Sequence, residues 1–210
     1  MPTRLSGLDA SFLYLETPTN HMHVGSVLVL DAATAPEGTL SRDRLAAYVE
    51  RRLHLVPPFR RRLVPVPFRL DHPVWVEDPD FDLDFHVRRA ALPAPGGPAQ
   101  LADFAGDIMS RSLDRSRPLW ELEVVEGLAD GRVALVSKTH HAAVDGVSGG
   151  EILAALLQLE PDQQPPPPDA EWHPEPPPSD LWLLAEAGVK LAATPVGLAR
   201  LGSRVVGAGA

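Results

Sequence analysis

Val133-Ala134-Leu135-Val136-Ser137-Lys138-Thr139-His140-His141-Ala142-Ala143-Val144-Asp145-Gly146 is an apolar, β-branched run that passes directly into two histidines, an aspartate and a glycine. Positions 133 to 138 predict a buried strand. The motif that follows brings an imidazole, a carboxylate and a close-approach glycine together, which is the inventory of a general-base site. Imidazole is the side chain whose unperturbed pKa lies nearest neutrality, so it can take a proton from a hydroxyl or thiol and return it within one turnover. If the strand continues through them, His140 and His141 point to opposite faces, and only one can face a given cleft. Adjacent strand residues that diverge cannot both grip one ion, and the chain has no cysteine to help, so no metal is expected here.

Immediately downstream, Gly146-Val147-Ser148-Gly149-Gly150 matches the Gly-x-Ser-x-Gly turn of α/β-hydrolases. The partners are wrong. In those enzymes the acid and histidine follow the serine, and the only later histidine is His173, inside a proline-rich stretch. Ser148 reads instead as a helix N-cap, with Glu151 in the first turn.

Working outward, Leu122 to Val125 and Val133 to Lys138 form a predicted hairpin across Leu128-Ala129-Asp130-Gly131, where Asp-Gly supplies the turn. Glu151 to Leu159 predicts a helix behind the histidine loop. Val24 to Leu30 reads as a strand and Asp31 to Gly38 as a loop. A helix follows, capped by Ser41, with Leu45, Tyr48, Val49, Leu53 and Val56 at helical spacing and Pro57-Pro58 as its stop. Phe81, Leu83, Phe85 and Val87 alternate with polar residues, the period of a half-buried strand. Gln100 to Leu113 predicts a second amphipathic helix. Pro161 to Pro178 is dominated by prolines and reads as an extended, semi-rigid linker. Beyond it, Leu181 to Leu201 resumes helical spacing but carries Glu186, Lys190, Pro195 and Arg200. It suits an inter-domain helix packed on protein, or an interfacial helix lying on lipid with Trp182 at the boundary.

Composition bounds the function. At 210 residues and 44% hydrophobic, the chain can bury the core of one domain. The absence of cysteine excludes a disulfide scaffold and a thiol nucleophile, and a reducing cytosol is the simplest compartment. A net charge of -9 argues against a nucleic-acid partner, which needs a basic footprint. Arg60-Arg61-Arg62 is the local exception and reads as a solvated face after a helix. Met1 to Leu15 lacks a basic start followed by an apolar run, and no uncharged stretch of eighteen apolar residues occurs, so neither a signal peptide nor a membrane span is expected.

His140-His141-x-x-x-Asp145-Gly146 after a strand resembles the signature of the CoA-dependent acyltransferase superfamily, which includes chloramphenicol acetyltransferase and peptide-synthetase condensation domains. The flanks narrow the resemblance. Leu5-Ser6-Gly7-Leu8-Asp9-Ala10-Ser11-Phe12-Leu13, then Met22-His23-Val24-Gly25, then Pro118-Leu119-Trp120-Glu121 are similar to the bacterial wax ester synthase/diacylglycerol acyltransferase family, in the family's order from about Leu5 to Leu159. The resemblance implies an α/β (α+β) chloramphenicol-acetyltransferase-like domain, an open mixed sheet with flanking helices. It would be one of two similarly folded halves, with the reaction tunnel between them. His141 is implied as the catalytic base and Asp145 as a residue that shapes the loop. His140 and Gly146 complete the motif. Pro118, Leu119 and Trp120 are implied as structural or substrate-channel residues.

The activity implied is transfer of a fatty acyl group from acyl-CoA, a co-substrate, to a long-chain alcohol or diacylglycerol, with no resident cofactor. Such a protein would be cytoplasmic, with peripheral membrane or lipid-droplet contact open. Members of the family are about twice this long, and the second half carries an Asn-Asp motif and much of the CoA contact. The chain is therefore read as an N-terminal acyltransferase domain (1–160), a proline-rich linker (161–179) and a crossover helix region (180–210) leading to a C-terminal domain or chain as partner. Two alternatives stay open: a related histidine-motif acyltransferase or condensation domain using carrier-bound donors, and a non-catalytic lipid-binding fragment.

Overall fold

The computed structural model describes residues 2–35, 38–144, 152, 155–157 and 164–192. The apolar run at 133 is the centre of the domain: β2 (His23–Leu30), β5 (Val87–Ala91), β6 (Trp120–Glu126) and β7 (Val133–His140) form a sheet in the order β2-β7-β6-β5. β7 pairs antiparallel with both β2 and β6, while β5 runs parallel to β6. The β6–β7 hairpin turns where Asp-Gly predicted, with Gly131 at φ 76°. A parallel pair needs a crossover, and α4 (Pro98–Ser110) supplies it between β5 and β6.

β7 is apolar on successive residues because both sheet faces are covered. Val133 and Leu135 join Val124, Trp120 and α2 (Arg42–Glu50) on one face, through Leu45, Ala46 and Val49. Ala134 and Val136 join Val125 and Ile108 of α4 on the other. The Ser41 cap forms, its side chain accepting from the Arg44 amide. Gly25 of β2 makes room for α4, since a Cβ there would fall 2.5 Å from Met109 Sδ.

A second, three-stranded sheet in the order β1-β4-β3 joins β1 (Thr3–Arg4), β4 (Val74–Glu77) and β3 (Arg61–Val64). Strands of two and four residues leave too little alternation to be legible in the sequence. Helix α5, residues 180–192, buries Leu183 and Ala187 against Val74 and Val76 of this sheet and Val66 just beyond β3. Its exposed side carries Leu181, Trp182, Val189 and Leu191. Over 180–192 one side of this stretch therefore packs on protein, and residues 193–201 lie outside the described residues. No helix among the described residues is long and apolar enough to cross a membrane.

Three expectations are corrected. Residues 81–87 are not a strand: α3 (Leu83–His86) is a single helical turn capped by Asp82, and β5 begins only at Val87. The alternation there reflects an aromatic stack, with Phe81 and Trp120 on the ring of His86, which is fully buried. The arginine triplet is not a solvated face but enters β3. Arg60 lies under the Trp172 ring, 4.7 Å from its centroid, with burial lowering its pKa, and Arg62 pairs with Asp78 at 3.2 Å. The proline-rich stretch lacks regular structure over 164–179 but does not stand off as a spacer. His54 bonds the Pro166 carbonyl, and Trp172 packs edge-on to Phe81.

Candidate active site

β7 ends at His140, and His141–Ala143 form one turn of 3-10 helix. The two histidines part there. His140 is 1% exposed, while His141 is exposed. The turn is fastened from below by Ala142 and Ala143, which pack with Ala10 and Leu13 of α1 (Gly7–Leu15). It is fastened at the edge by the His141 amide, which donates to the Met22 carbonyl at 2.8 Å. The His141 ring lies over Phe12 of α1, centroids 4.8 Å apart and nearly parallel at 18°. Leu8, Phe12 and Leu15 follow one another at helical spacing on α1, and Leu8 and Leu15 are about 60% exposed. An apolar strip therefore runs along α1 from beneath the imidazole.

His140 faces the interior. Its Nδ1 accepts the Ala142 amide at 3.0 Å, so it acts as the N-cap of the turn. Its Nε2, which must then carry the proton, meets Glu16 Oε2 at 3.2 Å. Glu16 also accepts from Arg115 and lies 3.2 Å from His21 Nδ1. Burial opposes ionisation of this carboxyl, but the bonds from Arg115 and His21 outweigh it and hold its pKa below the ordinary value. Burial lowers the pKa of His140, partly offset by Glu16. His23, side by side with His21 and opposite His140 in the β2–β7 register, is pushed down to about 4 by burial and by the Lys138 ammonium. Lys138 is 1% exposed on the same sheet face, held by Glu121 at 3.0 Å and by the Ile108 and Arg111 carbonyls at 3.1 Å.

Glu16, His21 and His23 bring one donor atom each within 4.8 Å of one another, the one such group among the described residues. A dication there would enter beside Arg115 on the same carboxylate and Lys138 facing His23. Those fixed charges make the pocket a poor cation site.

Asp145, Gly146 and Ser148 lie outside the described residues, as does most of the helix predicted over 151–159. Pro118, Leu119 and Trp120 are all buried. Trp120 is sandwiched between Phe59 and His86 at 4.4 and 4.6 Å, and its Nε1 donates to the Phe59 carbonyl at 2.9 Å. This packing fixes Trp120 in the core. Sequence reasoning did not single out Phe12, Glu16, His21, His23 or Arg115 as site residues. His21 and His23 share a face by their i, i+2 spacing, and Lys138 is a charge in an apolar strand; both are readable signals. Nothing in the sequence marks Glu16 as the partner of His140, 124 residues away. A cavity of about 720 Å³, lined among others by Arg42, Glu50, Arg60, Phe81 and Trp172, shares no lining residue with the histidine cluster.

An open mixed sheet flanked by helices, with a histidine turn at the end of a central strand, defines a domain of chloramphenicol-acetyltransferase-like architecture. The chain belongs to the wax ester synthase/diacylglycerol acyltransferase catalytic domain family, whose profile matches residues 5–210. The wax ester synthase/diacylglycerol acyltransferase of Marinobacter aquaeolei VT8 superposes with a TM-score of 0.63 at 38% identity, over 80% of this chain and 42% of that one. Relatives in Mycobacterium tuberculosis H37Rv include two that are named provisionally as diacylglycerol O-acyltransferases. Rv3087 is 48% identical over 88% of this chain and 39% of its own length. Tgs3 is 41% identical over 99% of this chain and 75% of its own length. The chain thus spans about two fifths of the first of these relatives. A starter condensation domain of the rhizomide synthetase RzmA shares the fold, with a TM-score of 0.56 at 13% identity.

Proposed function

We propose that this chain carries the histidine-bearing half of an O-acyltransferase that moves a fatty acyl group from acyl-CoA to a long-chain alcohol or diacylglycerol. The observation that carries the reading is the exposed His141 imidazole, fixed on a clamped turn and stacked on Phe12 in the middle of the apolar Leu8–Phe12–Leu15 strip. In this mechanism His141 takes the proton of the acceptor hydroxyl. The oxygen attacks the thioester carbonyl, and the tetrahedral adduct collapses to ester and CoA thiolate. The imidazolium then returns the proton to the thiolate. No acyl-enzyme and no resident cofactor are required.

Proton transfer of this kind is worth roughly 10²–10⁴-fold. Much of the remaining acceleration must come from holding alcohol and thioester together, with effective molarities reaching about 10⁵–10⁸ M. That requires a wall opposite His141, which we assign to a C-terminal domain or chain; the share of the relatives' length that the chain covers supports this. The apolar strip and the exposed side of α5 favour peripheral contact with a membrane or lipid droplet at which such substrates collect.

The test is acyl-CoA-dependent ester formation by the native polypeptide or complex, with hexadecanol and with dioleoylglycerol as acceptors. His141→Ala is expected to lower kcat by about 10²-fold or more with unchanged circular dichroism. Product formation at the wild-type rate would reject the role of His141.

A further inference from the structure

We infer that Glu16 is a positioning residue for His141, acting through His140; the inference rests on the reading of His141 as the base. The chain of contacts is short. Glu16 Oε2 faces His140 Nε2 at 3.2 Å, and His140 Nδ1 accepts the Ala142 amide at 3.0 Å. Ala142 is the second residue of the turn that begins with His141. A neutral imidazole has one donor nitrogen and one acceptor nitrogen, and a partner at one nitrogen decides the role of the other. The carboxylate favours the proton on Nε2, which leaves Nδ1 bare for the Ala142 amide. In the other tautomer an N–H on Nδ1 would face the Ala142 N–H, donor against donor, and the cap would be lost.

Glu16 is well placed to enforce this choice because it is itself fixed. It stands at the C-cap of α1, the helix that carries Phe12 under His141 and Ala10 and Leu13 under Ala142 and Ala143. Arg115 bonds the same oxygen, and His21 meets the other at 3.2 Å. One carboxylate thereby ties the helix on which His141 rests to the residue that caps the turn on which His141 sits. The linkage ends at the Ala142 backbone and does not reach the His141 ring, so Glu16 orients and does not relay a proton. Displacement of a reacting group by about 1 Å is enough to cost on the order of 10²-fold.

The experiment compares Glu16→Ala, His140→Ala and His140→Asn in the acyl-transferring form of the protein. Asn is among the best N-caps and its side-chain oxygen can accept the Ala142 amide without help from Glu16. Glu16→Ala and His140→Ala are expected to lower kcat by about tenfold or more, with KM for acyl-CoA unchanged within about twofold. His140→Asn is expected to retain kcat within about threefold, and adding Glu16→Ala to it to cost no more than about threefold further. Glu16→Gln keeps an acceptor for the Nε2 proton and covers the case in which Glu16→Ala does not fold; it too should stay within about threefold.

A measurement that needs no turnover stands beside these: ¹⁵N chemical shifts of the His140 ring should show the Nε2–H tautomer in the wild type and a mixture in Glu16→Ala. Wild-type kcat in Glu16→Ala, an equal loss from Glu16→Ala in the His140→Asn background, or an Nδ1–H tautomer in the wild type would overturn the inference. If His141→Ala stays active, the reading of His141 fails, while the ring shifts still decide whether Glu16 sets the state of His140.

Discussion

Replacing Trp120 tests what holds the centre of the domain, and the two halves of its contribution can be separated. Trp120 is 3% exposed, stacked between Phe59 and His86, with Nε1 on the Phe59 carbonyl and its own carbonyl accepting from His86 Nδ1 at 2.8 Å. Trp120→Phe keeps a ring in the stack but removes the donor, leaving a buried carbonyl unpaired at a cost of about 1–3 kcal/mol. The lost ring volume adds about 1 kcal/mol, for a total of about 2–4 kcal/mol. Trp120→Ala removes the side chain, at about 3–5 kcal/mol for an aromatic truncated in a core. Loss of two ring contacts, each worth about 0.5–1.5 kcal/mol beyond area, brings it to about 4–8 kcal/mol.

Urea unfolding followed by far-ultraviolet circular dichroism measures both variants without relying on tryptophan emission. With a slope near 2 kcal/mol/M, Trp120→Phe should lower the midpoint by about 1–2 M, and Trp120→Ala by more, with the slope unchanged. A Trp120→Phe midpoint within about 0.2 M of wild type would refute the reasoning, since the bond to the Phe59 carbonyl could then not be holding β6 to that segment.

Two further outcomes follow from the same contacts. His23 and His86 are held down to about 4 by burial, His140 is lowered in the same direction, and each is neutral in the folded state. The unfolded chain takes up protons below about pH 6.5 while the native state does not, so stability is full above that pH and falls as pH drops toward 4. His23 and His86 each contribute up to about 3 kcal/mol. Glu16 has the depressed carboxylate's sign, its contribution present above the ordinary carboxyl pKa and lost below the histidine window. Urea midpoints independent of pH between 7 and 4.5 would contradict this. Gly96 sits at φ 67°, and a Cβ added there would fall 1.9 Å from the Gly127 carbonyl oxygen, whereas Gly131 at φ 76° has open space around it. Gly131→Ala should cost only backbone strain, about 1–2 kcal/mol, and Gly96→Ala about 3 kcal/mol or more; equal losses in thermal unfolding would show that the close approach is not obligatory.

The candidate site was only partly legible before folding. A histidine pair after an apolar strand announces that one ring turns inward and one outward, because strand geometry alternates whatever the surroundings. That His140 is the inward one, and that it caps the turn, depends on α1 and Glu16 arriving from the other end of the chain. The strand misread at 81–87 has the same origin. Alternating aromatics satisfy the period of a strand locally, and only the His86–Trp120 stack, 34 residues apart in sequence, makes them a helical turn instead.

Local chemistry alone determined the Asp-Gly hairpin, the Ser41-capped helix, the buried run at 133 and the histidine turn after it, since each is written in contiguous residues whose propensities agree. Tertiary structure decided the parallel pairing of β5 with β6, the small sheet that docks α5, the burial of Arg60 beneath Trp172 and the carboxylate behind His140. Those depend on which surfaces meet after the chain has closed long loops, and no periodicity within one segment encodes its partner.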